Sequence, residues 1–267
     1  MLYFQLLFKS KQFRLFTRRI VLEFKNYNTV FGLFLTFISF HSIFRSLDIF
    51  KYDVYSGSNI GIFTSVNDKF VFVPNGFAKT KAENLAHYLQ TEYLMTPVAN
   101  TRLLGILMVL NNHGILLPKT SSPEEIANLR KRTDLNVKML DTKHNALGNL
   151  ICVNDKGGVI SPIVEKEYIK EIEDTLDIEV MQKRIAGFHQ VGAVMKANNL
   201  GGIIHPETDE EDIKNFSSIL GVNIEPATIN GGIPFVSSGM LANSHAVVVG
   251  NLTNGPEIMM LTRAFTN

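Results

Sequence analysis

The chain has 267 residues, with 26 Lys and Arg against 25 Asp and Glu, so its net charge is +1. A near-neutral chain with 45% hydrophobic residues is neither a globally basic nucleic-acid binder nor a low-hydrophobicity disordered protein. The single cysteine, Cys152, excludes an internal disulfide framework and a multi-cysteine metal site, and it is typical of a reducing compartment.

The first fifty residues differ in composition from the rest. They hold 11 of the 19 Phe and carry seven Lys or Arg against Glu23 and Asp48, a charge of +5 that leaves −4 for the remainder. Residues 27–44 form an 18-residue run without a formal charge, near the lower limit of about 17 residues for a membrane span. Polar residues interrupt this run, and no signal-cleavage motif follows it. We interpret residues 1–46 as a dispensable extension or start-site artefact; a membrane or partner anchor and a packed helix remain alternatives.

An internal repeat dominates the remaining sequence. An asparagine interrupts an apolar stretch five times, at spacings of 43 to 45 residues: Asn67, Asn111, Asn154, Asn198 and Asn243. Six residues before this asparagine, four copies have a glycine and the fifth has Ser237. Seven or eight residues after it stands a proline in four copies and Gly250 in the fifth. The sequence therefore consists of five copies of one unit of about 44 residues.

Each unit has the pattern of a hairpin, a helix and a further strand. The glycine and its apolar neighbours predict a first strand, the Asn-x-x-Gly segment a turn with positive φ, and the proline the end of the second strand. Helix starts follow in two copies, where Ser122 with Glu125 and Thr208 with Glu211 predict capping boxes. The fold class is thus α/β, with five pseudo-symmetric ββαβ repeats.

Five such units fill residues 47–267 and leave no room for another domain. An open solenoid would carry polar, atypical units at its ends, whereas the terminal units here keep the apolar runs of the middle ones. We therefore predict one domain closed into a ring, with strands facing a central axis and helices outside.

Four segments of the repeats are similar to a known family. The amino-acid sequences of these segments resemble those of the translation initiation factor 6 family, the ribosome anti-association factors of archaea and eukaryotes. The segments are residues 103–119, 145–162, 191–208 and 254–257. The resemblance extends from about Ile49 to Phe265, and the chain ends as archaeal members do. It implies the pentein ring, or β/α-propeller, as the fold.

The resemblance also implies a function without catalysis. Family members bind the intersubunit face of the large ribosomal subunit, at a ribosomal protein next to the sarcin–ricin loop, and block joining of the small subunit. We accordingly expect a cytoplasmic monomer without cofactor or metal, with little direct RNA contact and no membrane contact for residues 47–267.

The same resemblance places the partner at one end of the ring. Because the units are repeats, equivalent positions before the first strand of each unit lie on the same face of the ring. The family motif ALGN, at residues 146–149, adds Asn149 to the candidate contact residues. A neutral polar and apolar ring suits a protein partner, with Arg102 as an anchoring charge. The candidate ribosome-binding residues are Asn149, Arg102, Leu103, Asn145, Leu147, Val191, Asn59 and Phe235.

Two other functions are alternatives. Pentein rings also carry guanidino-modifying hydrolases, which use a cysteine nucleophile near the C-terminus. Cys152 instead lies mid-strand in the third unit, and the histidines lack metal-binding spacings. The glycine pairs at 157–158, 201–202 and 231–232 indicate turns rather than phosphate-binding loops. The second alternative is a membrane-tethered assembly adaptor that uses residues 27–44.

Overall fold

The computed structural model describes residues 47–266. The hydrophobic segment 27–44 and the whole predicted extension 1–46 lie outside the described residues, so their assignment stays a prediction. Between residues 47 and 266, no helix is both long and apolar enough to cross a membrane.

The first strand, β1 (Asp48–Tyr52), precedes five similar units. Unit one contains α1 (Ile60–Phe63), β2 (Ser65–Val66), β3 (Phe70–Val73), α2 (Lys79–Leu89) and β4 (Glu92–Met95). Unit two contains α3 (Leu104–Leu107), β5 (Val109–Leu110), β6 (Gly114–Pro118), α4 (Pro123–Arg132) and β7 (Asn136–Leu140). Unit three contains α5 (Leu147–Leu150), β8 (Ile151–Val153), β9 (Gly157–Ile160), a 3-10 turn (Lys166–Tyr168), α6 (Ile169–Leu176) and β10 (Glu179–Gln182).

The last two units repeat the pattern with one difference. Unit four contains α7 (Val191–Val194), β11 (Met195–Ala197), β12 (Gly201–Ile204), α8 (Glu210–Leu220) and β13 (Asn223–Pro226). Unit five contains a 3-10 turn (Val236–Gly239), β14 (Met240–Ala242), β15 (Ala246–Gly250) and α9 (Gly255–Ala264). It has no third strand of its own among the described residues, and β1 takes that place.

Each unit forms one three-stranded sheet. Its first two strands pair antiparallel, and the third pairs parallel with the second, as in β5-β6-β7. In the fifth sheet, β1 lies parallel to β15, with Asp48 opposite Ala246 and Tyr52 opposite Gly250. The predicted ββαβ repeat is therefore confirmed, and the N-terminal strand completes the last sheet.

The start of each unit differs from the sequence prediction. The repeated glycine position, Ser237 in unit five, does not begin a strand; it lies in a four-residue helical segment that precedes the strand. The segments follow one another around the ring in close contact. A Cβ on Gly105 would lie 1.8 Å from the carbonyl oxygen of Gly61, and one on Gly148 would lie 2.1 Å from that of Gly105. Glycine is therefore required by backbone packing between units; we call these segments the helical-turn ring.

The five repeated asparagines form a second ring, which we call the asparagine ring. Each side-chain amide donates to the backbone carbonyl of the next asparagine, and the last donates to the first. The N–O distances are 3.0, 3.2, 3.0, 2.6 and 3.2 Å for Asn67, Asn111, Asn154, Asn198 and Asn243 in turn. The five bonds close a cycle, as the predicted ring requires.

The reason for asparagine in the turns also differs from the prediction. None of the five asparagines has positive φ. Instead, each side-chain oxygen accepts hydrogen bonds from the backbone amides two and three residues later, as Asn111 does from His113 and Gly114 at 3.0 Å. The side chain thus replaces a backbone turn while its amide group joins adjacent units.

One of the two predicted capping boxes is present. Ser122 accepts from the amide of Glu125, and the Glu125 carboxylate accepts from the amide of Ser122. The second prediction is wrong: α8 begins after Asp209, and the Thr208 hydroxyl donates to the carbonyl of His205. An additional box forms at α9 between Asn254 and Glu257.

The assignment of glycine pairs to turns is correct for one pair. Gly231 and Gly232 have φ of +80° and +106° in a loop. The other two pairs are buried in strands β9 and β12, so that prediction is wrong for them. A Cβ on Gly201 would lie 1.9 Å from the carbonyl oxygen of Ala264, because the end of an outer helix packs against the strand there.

Candidate docking face

The two rings lie at opposite ends of the short strands that line the axis. Loops surround the helical-turn ring, and we call this end the loop face. It comprises the loops before each helical turn and the residue that begins each turn: Asn59, Leu103, Ala146, Gln190 and Phe235.

Four of the five loops of the loop face are tight turns with left-handed backbone. Each of these four is closed by an isolated bridge, such as Val54 with Gly57 and Val98 with Thr101. The residues between the bridge partners have positive φ, including 51° at Tyr55 and 53° at Asn100. A non-glycine residue in this region is strained, so neighbouring groups must hold the turns in place.

Buried glutamates of the outer helices supply that support. The Glu125 carboxylate, besides capping its helix, accepts from the amides of Ala99 at 3.0 Å and Asn100 at 2.9 Å. Glu257 likewise accepts from the amides of Gly231 and Gly232 at 3.0 and 2.8 Å, and from the Thr228 hydroxyl. One side chain therefore fixes a helix start and a loop of the loop face together.

The charge state of Glu257 follows from these contacts. Burial by itself raises the pKa of Glu257, but the amides of Asn254, Gly231 and Gly232 and the hydroxyl of Thr228 outweigh it. The net pKa is lower than usual, which keeps the carboxylate ionised at neutral pH. The Thr142 hydroxyl, at 2.7 Å from Glu165, is the main cause of a lowered pKa for that carboxyl in unit three.

Aromatic side chains join neighbouring loops. The Arg102 guanidinium lies 5.7 Å from the centroid of the Tyr55 ring, so unit two contacts unit one. Phe188 of unit four meets Phe235 of unit five edge to face, with 5.7 Å between ring centroids. These contacts orient side chains that remain partly open to solvent.

The loop face exposes apolar surface around this framework. Tyr55 and Ile233 are each 42% exposed, Phe235 is 41% and Leu103 is 38%. Four large exposed hydrophobic side chains at one end of the ring form a candidate protein-docking surface.

The structure divides the predicted site residues into two groups. Asn59, Arg102, Leu103 and Phe235 are exposed on the loop face, and Asn145 and Asn149 are half-buried there. Leu147 and Val191 are completely buried and belong to the hydrophobic core. Their side chains offer no surface to a partner, because they point inward from the helical turns.

Three loop-face residues were missed by the sequence analysis: Tyr55, Phe188 and Ile233. They lie in the loops ahead of the positions that the repeat made equivalent. The repeat aligns the five asparagines and glycines, whereas loop sequences differ from unit to unit. The signal that could have found them was an aromatic or large apolar residue in the loop segment that precedes each repeated glycine position.

The opposite end of the ring is polar. Next to the asparagine ring stand Asp68, Asn112, Asp155, Asn199 and Ser244, which hydrogen-bond to one another from unit to unit. Asn112, for example, donates to the carboxylates of Asp68 and Asp155 at 2.7 and 2.6 Å. The polar side chains at this end hydrogen-bond to one another, whereas the loop face exposes apolar side chains to solvent.

Comparison with known proteins agrees with the repeat architecture. A model of the eIF-6 family matches residues 49–264, which extend from β1 to the end of α9. This chain belongs to the eIF-6 family. Translation initiation factor 6 of Cenarchaeum symbiosum is 67% identical over 219 residues, covering 82% of this chain and 99% of the relative.

Two further relatives carry the same name. The protein of Nitrosopumilus maritimus is 62% identical over 221 residues, covering 83% of this chain and all of the relative. That of Saccharolobus solfataricus is 40% identical over 220 residues, covering 82% of this chain and 99% of the relative. The chain is thus a translation initiation factor, as its resemblance to this family predicted.

In this eIF-6 family member, Cys152 is a core residue, as expected from its mid-strand position. Burial raises the pKa of its thiol to about 11, more than the nearby Lys196 ammonium lowers it, so the thiol stays protonated at neutral pH. A protonated, buried thiol is a poor nucleophile. Among residues 47–266, no three His, Cys, Asp or Glu side chains gather as metal ligands.

Proposed function

We propose that this chain binds the large ribosomal subunit through its loop face and thereby prevents the small subunit from joining. Membership of the eIF-6 family supports a role in initiation. The family resemblance adds subunit binding and anti-association. The observation that carries the proposal is the exposed apolar group Tyr55, Leu103, Ile233 and Phe235, collected at one end of a closed ring.

The chemistry of the loop face favours a protein partner. Aromatic residues and arginine are the side chains most enriched at the energetic centres of protein interfaces. A phosphate backbone would require several cations close together, whereas the residues flanking Arg102 in its own loop are neutral, and the exposed Lys143 and Arg184 belong to the loops of other units. We therefore propose a ribosomal protein next to the sarcin–ricin loop as the main contact, with little direct RNA binding.

The mechanism that follows is mutual exclusion. A ring whose units are joined by a cycle of hydrogen bonds presents its loops at fixed positions, so docking requires little ordering of the chain. Once docked, the factor occupies surface that the small subunit needs, and no covalent step is involved. In this proposal the factor acts as a cytoplasmic monomer.

Sedimentation tests the proposal directly. The full chain is mixed with purified large subunits, small subunits are added at high magnesium, and the mixture is resolved on a sucrose gradient. We expect the factor to sediment with the large subunit and the joined-ribosome peak to decrease. Phe235→Asp and Asn149→Arg should each weaken binding at least tenfold while the thermal midpoint changes little.

A matched variant separates a local effect from a general one. Met259 is 74% exposed on outer helix α9 and carries no predicted contact, so Met259→Asp should bind as the wild type does. Co-sedimentation without loss of joined ribosomes would leave binding but refute anti-association. Equal weakening by Met259→Asp and Phe235→Asp would argue against the loop face as the docking surface.

A further inference from the structure

A small cavity lies on the ring axis between the asparagine ring and the helical-turn ring. Its volume is about 40 Å³, enough for one or a few water-sized occupants. Every unit contributes to its lining, from Ser65 in unit one to Ser237 in unit five. The cavity is separate from the loop face and from the polar end of the ring.

One lining residue is charged. Lys196 lies on β11, two residues before the repeated asparagine, and the equivalent residues of units one to three, Ser65, Val109 and Cys152, line the same cavity. The repeat thus brings this position to the axis, and Lys196 is the one cation among the described residues that line the cavity. Of the described residues that line the cavity, none is acidic.

Among the residues that the structure describes, Lys196 therefore has no acidic side chain beside it in the cavity. Burial lowers its pKa, and the neighbouring Cys152 opposes that shift without reversing it. Cys152 cannot supply a negative charge at neutral pH, because its own pKa is raised to about 11. Lys196 is half-buried, so it is only partly removed from water, and a small anion beside the amine would stabilise its charged form.

The cavity offers groups suited to an anion. Ser65 and Cys152 also line it, and a hydroxyl and a thiol can each donate a hydrogen bond. Ser237 does not compete, since its hydroxyl donates to the carbonyls of Gly192 and Met195 at 2.5 and 2.8 Å. Free volume, donors and an unbalanced cation thus coincide at one point on the axis.

We propose that the axial cavity binds a small monovalent anion of the halide class, held by the Lys196 ammonium. The anion completes the packing of the ring centre and keeps Lys196 protonated. The volume admits chloride or bromide and excludes large organic anions such as gluconate.

Unfolding in different salts tests this site. The full chain is dialysed free of halide, and its thermal midpoint is measured at pH 7 in sodium chloride, sodium bromide or sodium gluconate at equal ionic strength. We expect the midpoint to be higher in either halide by about 2–4 °C, because a ligand that binds only the folded state stabilises it.

Two variants assign the effect to Lys196. Lys196→Met should abolish the difference between halide and gluconate. Lys119→Met, which removes an exposed lysine, should retain it. An equal halide effect in wild type and Lys196→Met would show that halide acts elsewhere, and no effect in the wild type would show that the cavity holds no halide. Either result would overturn the proposal.

A direct observation guards against a variant that fails to fold. Crystals grown in bromide should give an anomalous peak within about 3.5 Å of the Lys196 amine, and crystals of Lys196→Gln should not. A bromide peak elsewhere on the surface, with none in the cavity, would also refute the site.

Discussion

The side-chain amide of Asn243 donates to the backbone carbonyl of Asn67 at 3.2 Å, across 176 residues of sequence. This bond joins the last unit to the first and completes the cycle of the asparagine ring. Asn243 also donates to the carbonyl of Leu89 at 2.9 Å and accepts from the amides of His245 and Ala246. One buried side chain thus satisfies four backbone groups from three parts of the chain.

Replacing this side chain should weaken the whole ring. Asn243→Ala leaves buried backbone groups without partners, each at a cost of about 1–3 kcal/mol, so we expect a loss of at least about 3 kcal/mol in unfolding free energy. Denaturant unfolding measures it. Asn223→Ala, at an exposed position, should change stability by less than about 0.5 kcal/mol. A value for Asn243→Ala as small as that would show that the cycle contributes little.

Acid should remove the support that Glu257 gives to its loop. Its folded pKa lies below the unfolded value of about 4.3, so its stabilisation is complete above that pH and is lost as the pH falls through the folded pKa. Glu257→Gln should cost about 2 kcal/mol at pH 7, and the difference from wild type should vanish in strong acid. Unfolding free energy measured from pH 7 to pH 2 checks the prediction.

A surface carboxylate provides the comparison for that experiment. Glu210 is exposed in the first turn of α8, so Glu210→Gln should differ from wild type by less than about 0.5 kcal/mol at every pH. A pH-independent loss in Glu257→Gln would mean that its hydrogen bonds matter without its charge.

The architecture was predictable because symmetry constrains the same positions five times. Asn111 and its equivalents must accept the same turn amides and reach the next unit, so the residue recurs at regular intervals. Gly105 recurs because a neighbouring carbonyl occupies the space of its Cβ. By contrast, the four-residue helical turns were mistaken for strand starts, since a short apolar segment carries no periodicity that separates the two.

The docking face was predictable only in outline. The repeat located Leu103 and Phe235, which stand at equivalent positions and are exposed. It could not distinguish them from Leu147 and Val191. These two residues lie one position later in their helical turns, where the side chain faces the core instead of solvent. Tyr55 and Ile233 lie in loops whose conformation depends on distant groups, such as Glu257 for the loop that contains Gly231.

The contact between Arg102 and Tyr55 should organise the loop face for binding. Arg102→Ala and Tyr55→Leu should each reduce affinity for large subunits. The double variant should show a coupling of about 0.5–1 kcal/mol, typical of an exposed cation–π pair. Binding titrations of the four proteins measure it. Additive losses would mean that the two side chains contact the partner independently.

Asn145 offers a test of whether a candidate docking residue lowers the stability of the fold. Its side-chain oxygen is buried without a hydrogen-bond partner among the described residues. Asn145→Leu replaces this unsatisfied amide with a larger apolar side chain of the same branching at a half-buried position, so we expect a gain of about 1 kcal/mol, or about 2–4 °C in thermal midpoint. Scanning calorimetry checks it.

Asn112 is the matched control for that change. Its amide is bound to Asp68 and Asp155, so Asn112→Leu should lower the thermal midpoint. A loss of similar size in Asn145→Leu would show that the Asn145 side chain has a structural partner in solution.

The position of β1 in the fifth sheet has a consequence for synthesis. During translation, β1 leaves the ribosome before any other described element, yet its partner β15 is made more than 190 residues later. Four units can assemble in order as they emerge, while the first strand must stay unpaired until the end. A nascent factor therefore acquires its closed shape only after its own translation is almost finished.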